Sequence, residues 1–319
     1  MARASADTET AALAGRDGST YGRTPQRREA EELADALPPL LVEAERIAAT
    51  VAPGMHGRKR TGPGETFWQF RRYQQGDSAH LVDWRQSARS DRLYVREHEW
   101  EAAETVWLWC DRSASMDFTS TKHTPGKLDR AMVITLATAT LLVRAGERIA
   151  GLGEPLPPAS GRTALRRMAQ RFGTPDPEAS SDIPADVLPR FSRTVLVSDF
   201  LSDPDDIAAR IQSHATTGVK GHLLQVLDPA EEDLPFSGRT EFEGIEEANK
   251  LTFGRAETIR SAYQKKLAGH RAALRAVARR FGWTFTTHRT DRPPQTAVLA
   301  LHAALAGAPL PGATSGSGG

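Results

Sequence analysis

Cysteine is almost absent from this chain. A single thiol, Cys110, in 319 residues excludes an internal disulfide and any metal site built on paired cysteines, and it fits a reducing compartment. An excess of charge of one sign is absent too. Lys plus Arg number 41 against 40 for Asp plus Glu, so the chain lacks the global basic excess of proteins that live on nucleic acid or anionic lipid. Long apolar runs are also missing: the longest, residues 131–143, is interrupted by Thr135, Thr138 and Thr140 and reads as a buried helix rather than a membrane span. The first residues carry Arg3, Asp7 and Glu9 without an apolar stretch, so neither a secretory leader nor an acid-poor transit peptide is expected. Together these absences predict a cytoplasmic protein with no membrane insertion. The 39% hydrophobic and 25% charged residues predict a soluble globular one.

What is present changes character along the chain. Residues 1–30 lack periodicity and 307–319 are Gly, Ser, Ala and Pro, so both ends are expected to be flexible tails. Residues 31–104 are expected to form a single N-terminal segment. In it Leu33, Leu37, Leu40, Leu41 and Ile47 mark a helix over 29–51 that Pro38-Pro39 should break. A β-rich ribbon should follow, in which aromatic and charged residues alternate around Thr66-Phe67-Trp68-Gln69-Phe70-Arg71-Arg72-Tyr73 before the turn signal Gly76-Asp77. Trp68, Trp84, Trp100, Trp107 and Trp109 all fall between residues 68 and 109, and Trp84 is expected to pack the ribbon onto the sheet.

From residue 105 to 306 the rhythm is strand, loop, helix. Strands are expected at 105–110, 148–152, 194–198, 222–227 and 283–287, with helices at 128–144, 163–172, 204–214, 255–281 and 296–305. Asp203-Pro204-Asp205-Asp206 reads as an N-cap, a first-turn proline and acids at the positive helix end. Such alternation predicts an α/β fold, a doubly wound and mostly parallel sheet with helices on both faces.

In such a sheet, ligands sit beyond the carboxyl ends of the strands. Two polar clusters reach that edge: Asp111-Arg112-Ser113-Ala114-Ser115 after the first strand, and Ser198-Asp199 at the end of the third. Two carboxylates and two hydroxyls are hard oxygen donors suited to Mg²⁺, or to Mn²⁺ or Ca²⁺. In a tight loop alternate side chains can turn inward while Arg112 and Ala114 turn away.

Asp111, Ser113 and Ser115 match the D-x-S-x-S of the metal-ion-dependent adhesion site, and the domain resembles the von Willebrand factor A-like family. The resemblance implies that Thr163, in Gly161-Arg162-Thr163-Ala164-Leu165, and Asp199 complete the ligand set. Upstream, Tyr73-Gln74-Gln75-Gly76-Asp77 and Val82-Asp83-Trp84-Arg85-Gln86-Ser87-Ala88-Arg89 are similar to the signature of the bacterial domain of unknown function 58. Asp228-Pro229-Ala230-Glu231 and Tyr263 resemble that family as well, so the likeness runs over 56–305. It implies a partner, a MoxR-type AAA+ ATPase or a client of one, and a binding or adaptor role without enzymatic activity.

Other readings bear on the same residues. Asp111, Ser113 and Ser115 could simply shape a strand-to-helix turn, and Thr163 could cap a helix. Asp77, Asp83, Trp84 and Arg89 fit structural roles; Arg58-Lys59-Arg60 fits a solvated surface; His80, His98 and His222 lack metal-ligand spacing; and Cys110 fits a small buried hydrophobe. A metal-dependent phosphoesterase or nuclease would need a general base or second metal, and no G-x-S-x-G surrounds Ser113 or Ser115. A nucleic-acid binder using the Trp- and Arg-rich segment is opposed by the balanced charge.

Overall fold

The computed structural model describes residues 2–6, 30–52, 67–74, 82–89, 92–98, 103–244 and 250–305. In chain order these form β1 (Ala2–Ala6), α1 (Ala30–Val51), β2 (Phe67–Arg72), α2 (Trp84–Ser87), β3 (Tyr94–His98), β4 (Thr105–Cys110), α3 (Lys127–Arg144), β5 (Arg148–Gly151), α4 (Gly161–Gly173), β6 (Arg193–Ser198), α5 (Pro204–Ala215), β7 (Lys220–Leu227), α6 (Pro229–Asp233), β8 (Thr240–Gly244), β9 (Lys250–Phe253), α7 (Arg260–Arg280), β10 (Thr284–Arg289) and α8 (Pro294–Leu305). They fall into two units, His56–Glu104 and the rest of the chain.

The larger unit is α/β. Its five-stranded sheet runs in the order β10-β7-β6-β4-β5, and every pairing is parallel. Alternation along β4 divides the core: Val106, Leu108 and Cys110 face one side with α1, α3, α4 and α8, whereas Trp107 and Trp109 face the other with α5 and α7. Polar residues in the buried α3 are satisfied locally. The hydroxyls of Thr135, Thr138 and Thr140 donate to the carbonyls of Ala131, Ile134 and Leu136 at 2.8, 2.9 and 2.8 Å, so the threonines that interrupt the apolar run leave no unpaired hydroxyl in the core.

Three expectations are corrected. The α1 helix runs unbroken through Pro38-Pro39, and its Ala44, Ile47, Ala48 and Val51 are buried against α3 and the sheet. It therefore belongs to the α/β unit and not to a segment with the ribbon; burial of this apolar stripe outweighs the two missing N–H groups. Second, Ala2–Ala6 forms a strand, antiparallel to β8, in a small β1-β8-β9 sheet. Phe242 of that sheet packs edge-on against Phe236 and Phe253, each at 5.7 Å. The tail expected at 307–319 lies outside the described residues.

The third correction is in the smaller unit. There β2 and β3 pair antiparallel, with α2 between them in sequence. Asp83 caps α2 by accepting from the Gln86 N–H at 2.8 Å, and the Ser87 hydroxyl accepts from Tyr94 N–H at 2.9 Å. Trp84 is 65% exposed, because the first position of this short helix points to water while Val82, Ser87 and Val95 are buried. Gly76, Asp77, His80, Arg58, Lys59 and Arg60 lie outside the described residues.

Two buried histidines keep their neutral form. His222 on β7 rests its two ring nitrogens on the hydroxyls of Thr284 and Thr286, at 2.6 and 2.8 Å, and burial lowers its pKa to about 3. Burial, with help from the Arg130 charge, lowers His288 to about 4.

Ile47→Ala should cost about 2–5 kcal/mol in chemical denaturation, whereas Trp84→Ala should change stability by no more than about 0.5 kcal/mol. Because the histidine pKa values are lowered on folding, their stabilising contribution is complete above the unfolded value near 6.5 and is lost as pH falls toward 3. Urea titrations from pH 7 to 4.5 should therefore show His222→Gln losing about 2–3 kcal/mol less than the wild type.

Candidate functional site

The chain leaves β4 for β5 on one side, and β6 lies on the other. The crevice between the carboxyl ends of β4 and β6 is thus the topological switch point, where open α/β sheets leave room for ligands. Asp111 and Asp199 stand there, one residue past each strand. The Asp111 N–H extends the ladder by donating to the Val197 carbonyl at 2.8 Å.

Asp111, Ser113 and Ser115 are buried, whereas Ala114 is exposed, so the expected alternation holds. The Asp111 Oδ1 accepts from Ser113 N–H at 2.8 Å and its Oδ2 from the Ser198 hydroxyl at 2.6 Å. The hydroxyls of Ser113 and Ser115 lie 3.2 Å apart. Arg112 turns away and anchors the loop to the end of α4, donating to the carbonyls of Arg171 and Thr174 at 2.6 and 3.1 Å and pairing with Asp176 at 2.6 Å.

A left-handed turn positions Asp199. Phe200 has φ 47°, a conformation that costs a bulky residue on the order of 1–3 kcal/mol. Its N–H donates to Ser198 Oγ at 3.0 Å, its carbonyl lies 2.6 Å from His270 Nε2, and its side chain is buried against α5 and α7.

A lysine stands in the same crevice. Lys127, the first residue of α3, is fully buried, with its ammonium 2.8 Å from Asp199 Oδ2 and 2.8 Å from Glu231 Oε1. Glu231 belongs to a capping box at the start of α6: its Oε2 accepts from Asp228 N–H at 2.9 Å, while Asp228 accepts from Ala230 N–H at 2.8 Å. Gln225 donates to the Asp199 carbonyl at 2.8 Å and accepts from Arg271 at 2.9 Å.

The charges do not balance. Burial and the Asp199 charge push Asp111 up to about 6, against the hydrogen bonds from Ser198 and Ser113. Burial would raise Asp199 as well, but the Lys127 ammonium outweighs it, helped by the Ser115 hydroxyl and Leu201 N–H, and holds the carboxyl below its usual range. One ammonium cannot neutralise two acids, so the remainder falls on Glu231, which burial pushes to about 7 despite its contact with Lys127. Burial disfavours the Lys127 charge, yet Asp199 and Glu231 hold its pKa above the usual lysine value.

The family model described as "Protein of unknown function DUF58" matches residues 69–273, more than half of the chain. The chain belongs to the DUF58 family. Two curated relatives, uncharacterized protein Rv1480 of Mycobacterium tuberculosis and uncharacterized protein Mb1516 of Mycobacterium bovis, are each 28% identical over 283 residues, covering 82% of this chain and 86% of the relative. Among solved structures, an aerotolerance-related membrane protein from Bacteroides fragilis is similar at TM-score 0.42 and 15% identity, over 64% of this chain and 100% of that one. The conserved hypothetical protein BatB from Bacteroides thetaiotaomicron is similar at TM-score 0.38 and 12% identity, over 65% and 100%. No helix among the described residues is long and apolar enough to cross a membrane.

This DUF58 chain brings Asp111, Ser113, Ser115 and Asp199 together but not Thr163. Ala159, just before α4, bridges to Ile149, itself opposite Val106 near the amino end of β4, so α4 begins at the other edge of the sheet. Thr163 is exposed in its first turn, about 12 Å along the helix axis from the Arg171 carbonyl that meets Arg112. The convergent donors are hard oxygens that fit a divalent ion, although no group of three or more His, Cys, Asp or Glu among the described residues is placed to hold one. Sequence reasoning placed Ser198 at this edge but missed Lys127 and Glu231 as members of the crevice. Glu231 carried a signal in the capping pattern Asp228-Pro229-Ala230-Glu231; Lys127 carried none, since a lysine at a helix start reads as surface.

Lys127→Ala should cost about 3–5 kcal/mol, because it strands Asp199 and Glu231 without a cation. Lys127→Met with Asp199→Asn and Glu231→Gln, which removes the cation together with both acids and keeps side-chain volume, should recover most of that loss in urea denaturation at pH 7.5.

Proposed function

We propose that this DUF58 protein is a non-catalytic protein-interaction module whose recognition edge is the crevice between β4 and β6, and that it serves as an adaptor for a MoxR-type AAA+ ATPase or a client of one. What supports this reading is the convergence of Asp111, Ser113, Ser115 and Asp199, two carboxylates and two hydroxyls that are all hard oxygen donors, at the switch point.

Such oxygens suit holding and orienting. Asp111, Ser113, Ser115 and Asp199 would hold Mg²⁺, or Mn²⁺ or Ca²⁺, which when bound supplies an open coordination position for an acidic side chain of the partner. Arg112 fixes the loop against α4, and the turn at Phe200 fixes Asp199, so the edge is presented on rigid elements. The partner itself is inferred from the family resemblance. A cytoplasmic setting is part of the same proposal.

Asp111→Asn is the cleanest test, since Asp111 has no cation beside it and an amide of the same shape can still accept from Ser113 N–H. Purified wild-type chain should retain a purified MoxR-type ATPase in Mg²⁺ and release it in EDTA. Asp111→Asn should lower retention at least tenfold while leaving the melting temperature within a few degrees. Capture unchanged by both treatments would remove the metal from the reading. Mn²⁺-dependent hydrolysis of p-nitrophenyl phosphate, lost in Asp111→Asn, would replace the adaptor with a phosphoesterase.

A further inference from the structure

Lys127 sits where helix electrostatics disfavour it. It is the first residue of α3, at the positive end of the helix dipole, behind a Gly126 cap that supplies no side-chain acceptor. A lysine at an exposed helix start would extend into water; this one is fully buried, with its ammonium over the Phe118 ring at 5.9 Å and bonded to both Asp199 and Glu231. The ammonium thus takes the same Asp199 carboxylate that a divalent ion in the crevice would use. Two carboxylates, Asp199 and Glu231, hold this one buried cation, and Asp111 lies on the far side of Asp199, feeling the Asp199 charge.

We propose that Lys127 is the resident cation of the crevice, and that its ammonium and a divalent ion exclude one another at Asp199. This rests on the reading of Asp111, Ser113, Ser115 and Asp199 as a hard-donor set for such an ion. The exclusion follows from charge and space: Asp199 Oδ2 is already engaged at 2.8 Å, and two cations sharing one buried carboxylate repel strongly in a site with little water to screen them. The form with Lys127 seated between Asp199 and Glu231 is the closed state of the site. The open state has the flexible lysine stem swung away, freeing the acids for the ion. Loading with metal and release of Lys127 from Asp199 are one event, so the start of α3 reports on the occupancy of the crevice.

Manganese binding followed by electron paramagnetic resonance tests this, with Mn²⁺ alone as the probe and folding checked by melting temperature. Lys127→Met/Glu231→Gln, which preserves packing, should bind one Mn²⁺ at least tenfold more tightly than the wild type and gain melting temperature on adding Mn²⁺. Glu231→Gln alone keeps the ammonium and should bind no better than the wild type. Adding Asp111→Asn to the double variant should remove the gain, which places the ion in this crevice. Equal Mn²⁺ affinity in the wild type and the double variant would overturn the exclusion while leaving the metal-dependent reading of function standing. Absence of Mn²⁺ binding in every folded variant would overturn both.

Discussion

The ammonium of Lys127 between Asp199 and Glu231 ties together three parts of the chain that are far apart in sequence: the start of α3, the end of β6 and the first turn of α6. A buried ion pair is seldom a large net source of stability, because the desolvation of its charges offsets their attraction. Its effect is geometric. Removing Lys127 leaves two buried acids without a cation, so the three elements are held to one arrangement. The carboxyl-end crevice of the sheet inherits its shape from that constraint.

Around this centre the polar groups are arranged so that few degrees of freedom remain. Ser198 serves both sides, donating its hydroxyl to Asp111 and accepting from the N–H of Phe200. The unfavourable backbone at Phe200 is sustained by that bond, by contact of its carbonyl with His270 and by burial of its ring. Arg112 does the same for the other wall of the crevice through three contacts at the end of α4.

The same economy of polar groups runs through the rest of the α/β unit. Threonines of α3 bond their own helix, and His222 bonds two threonines of the neighbouring strand. Gly221 has no side chain because a Cβ there would lie 2.4 Å from the Trp283 ring, whose indole N–H reaches the Val219 carbonyl at 3.0 Å.

Local patterning determined the five strands of the parallel sheet and the helices α3, α4, α5, α7 and α8, but not α6, β8 or β9. Doubly apolar strands, the capped start of α5 at Asp203-Pro204 and the alternation of strands with helices are encoded in short windows, and together they specify a parallel sheet whose carboxyl edge carries Asp111, Ser113, Ser115 and Asp199. Whatever depends on contacts between distant segments was decided by the tertiary structure. Burial of the α1 stripe overrode Pro38-Pro39, a five-residue stretch at the amino end paired with β8, and Trp84 was left facing water. Thr163 matched a motif in order and spacing, yet the path of the chain past Ala159 carried it to the opposite edge of the sheet. Lys127 looked like an ordinary helix-start lysine. Only the fold brought two buried carboxylates to it, because charge pairing across residues 127, 199 and 231 is a property of three-dimensional proximity that no local window contains.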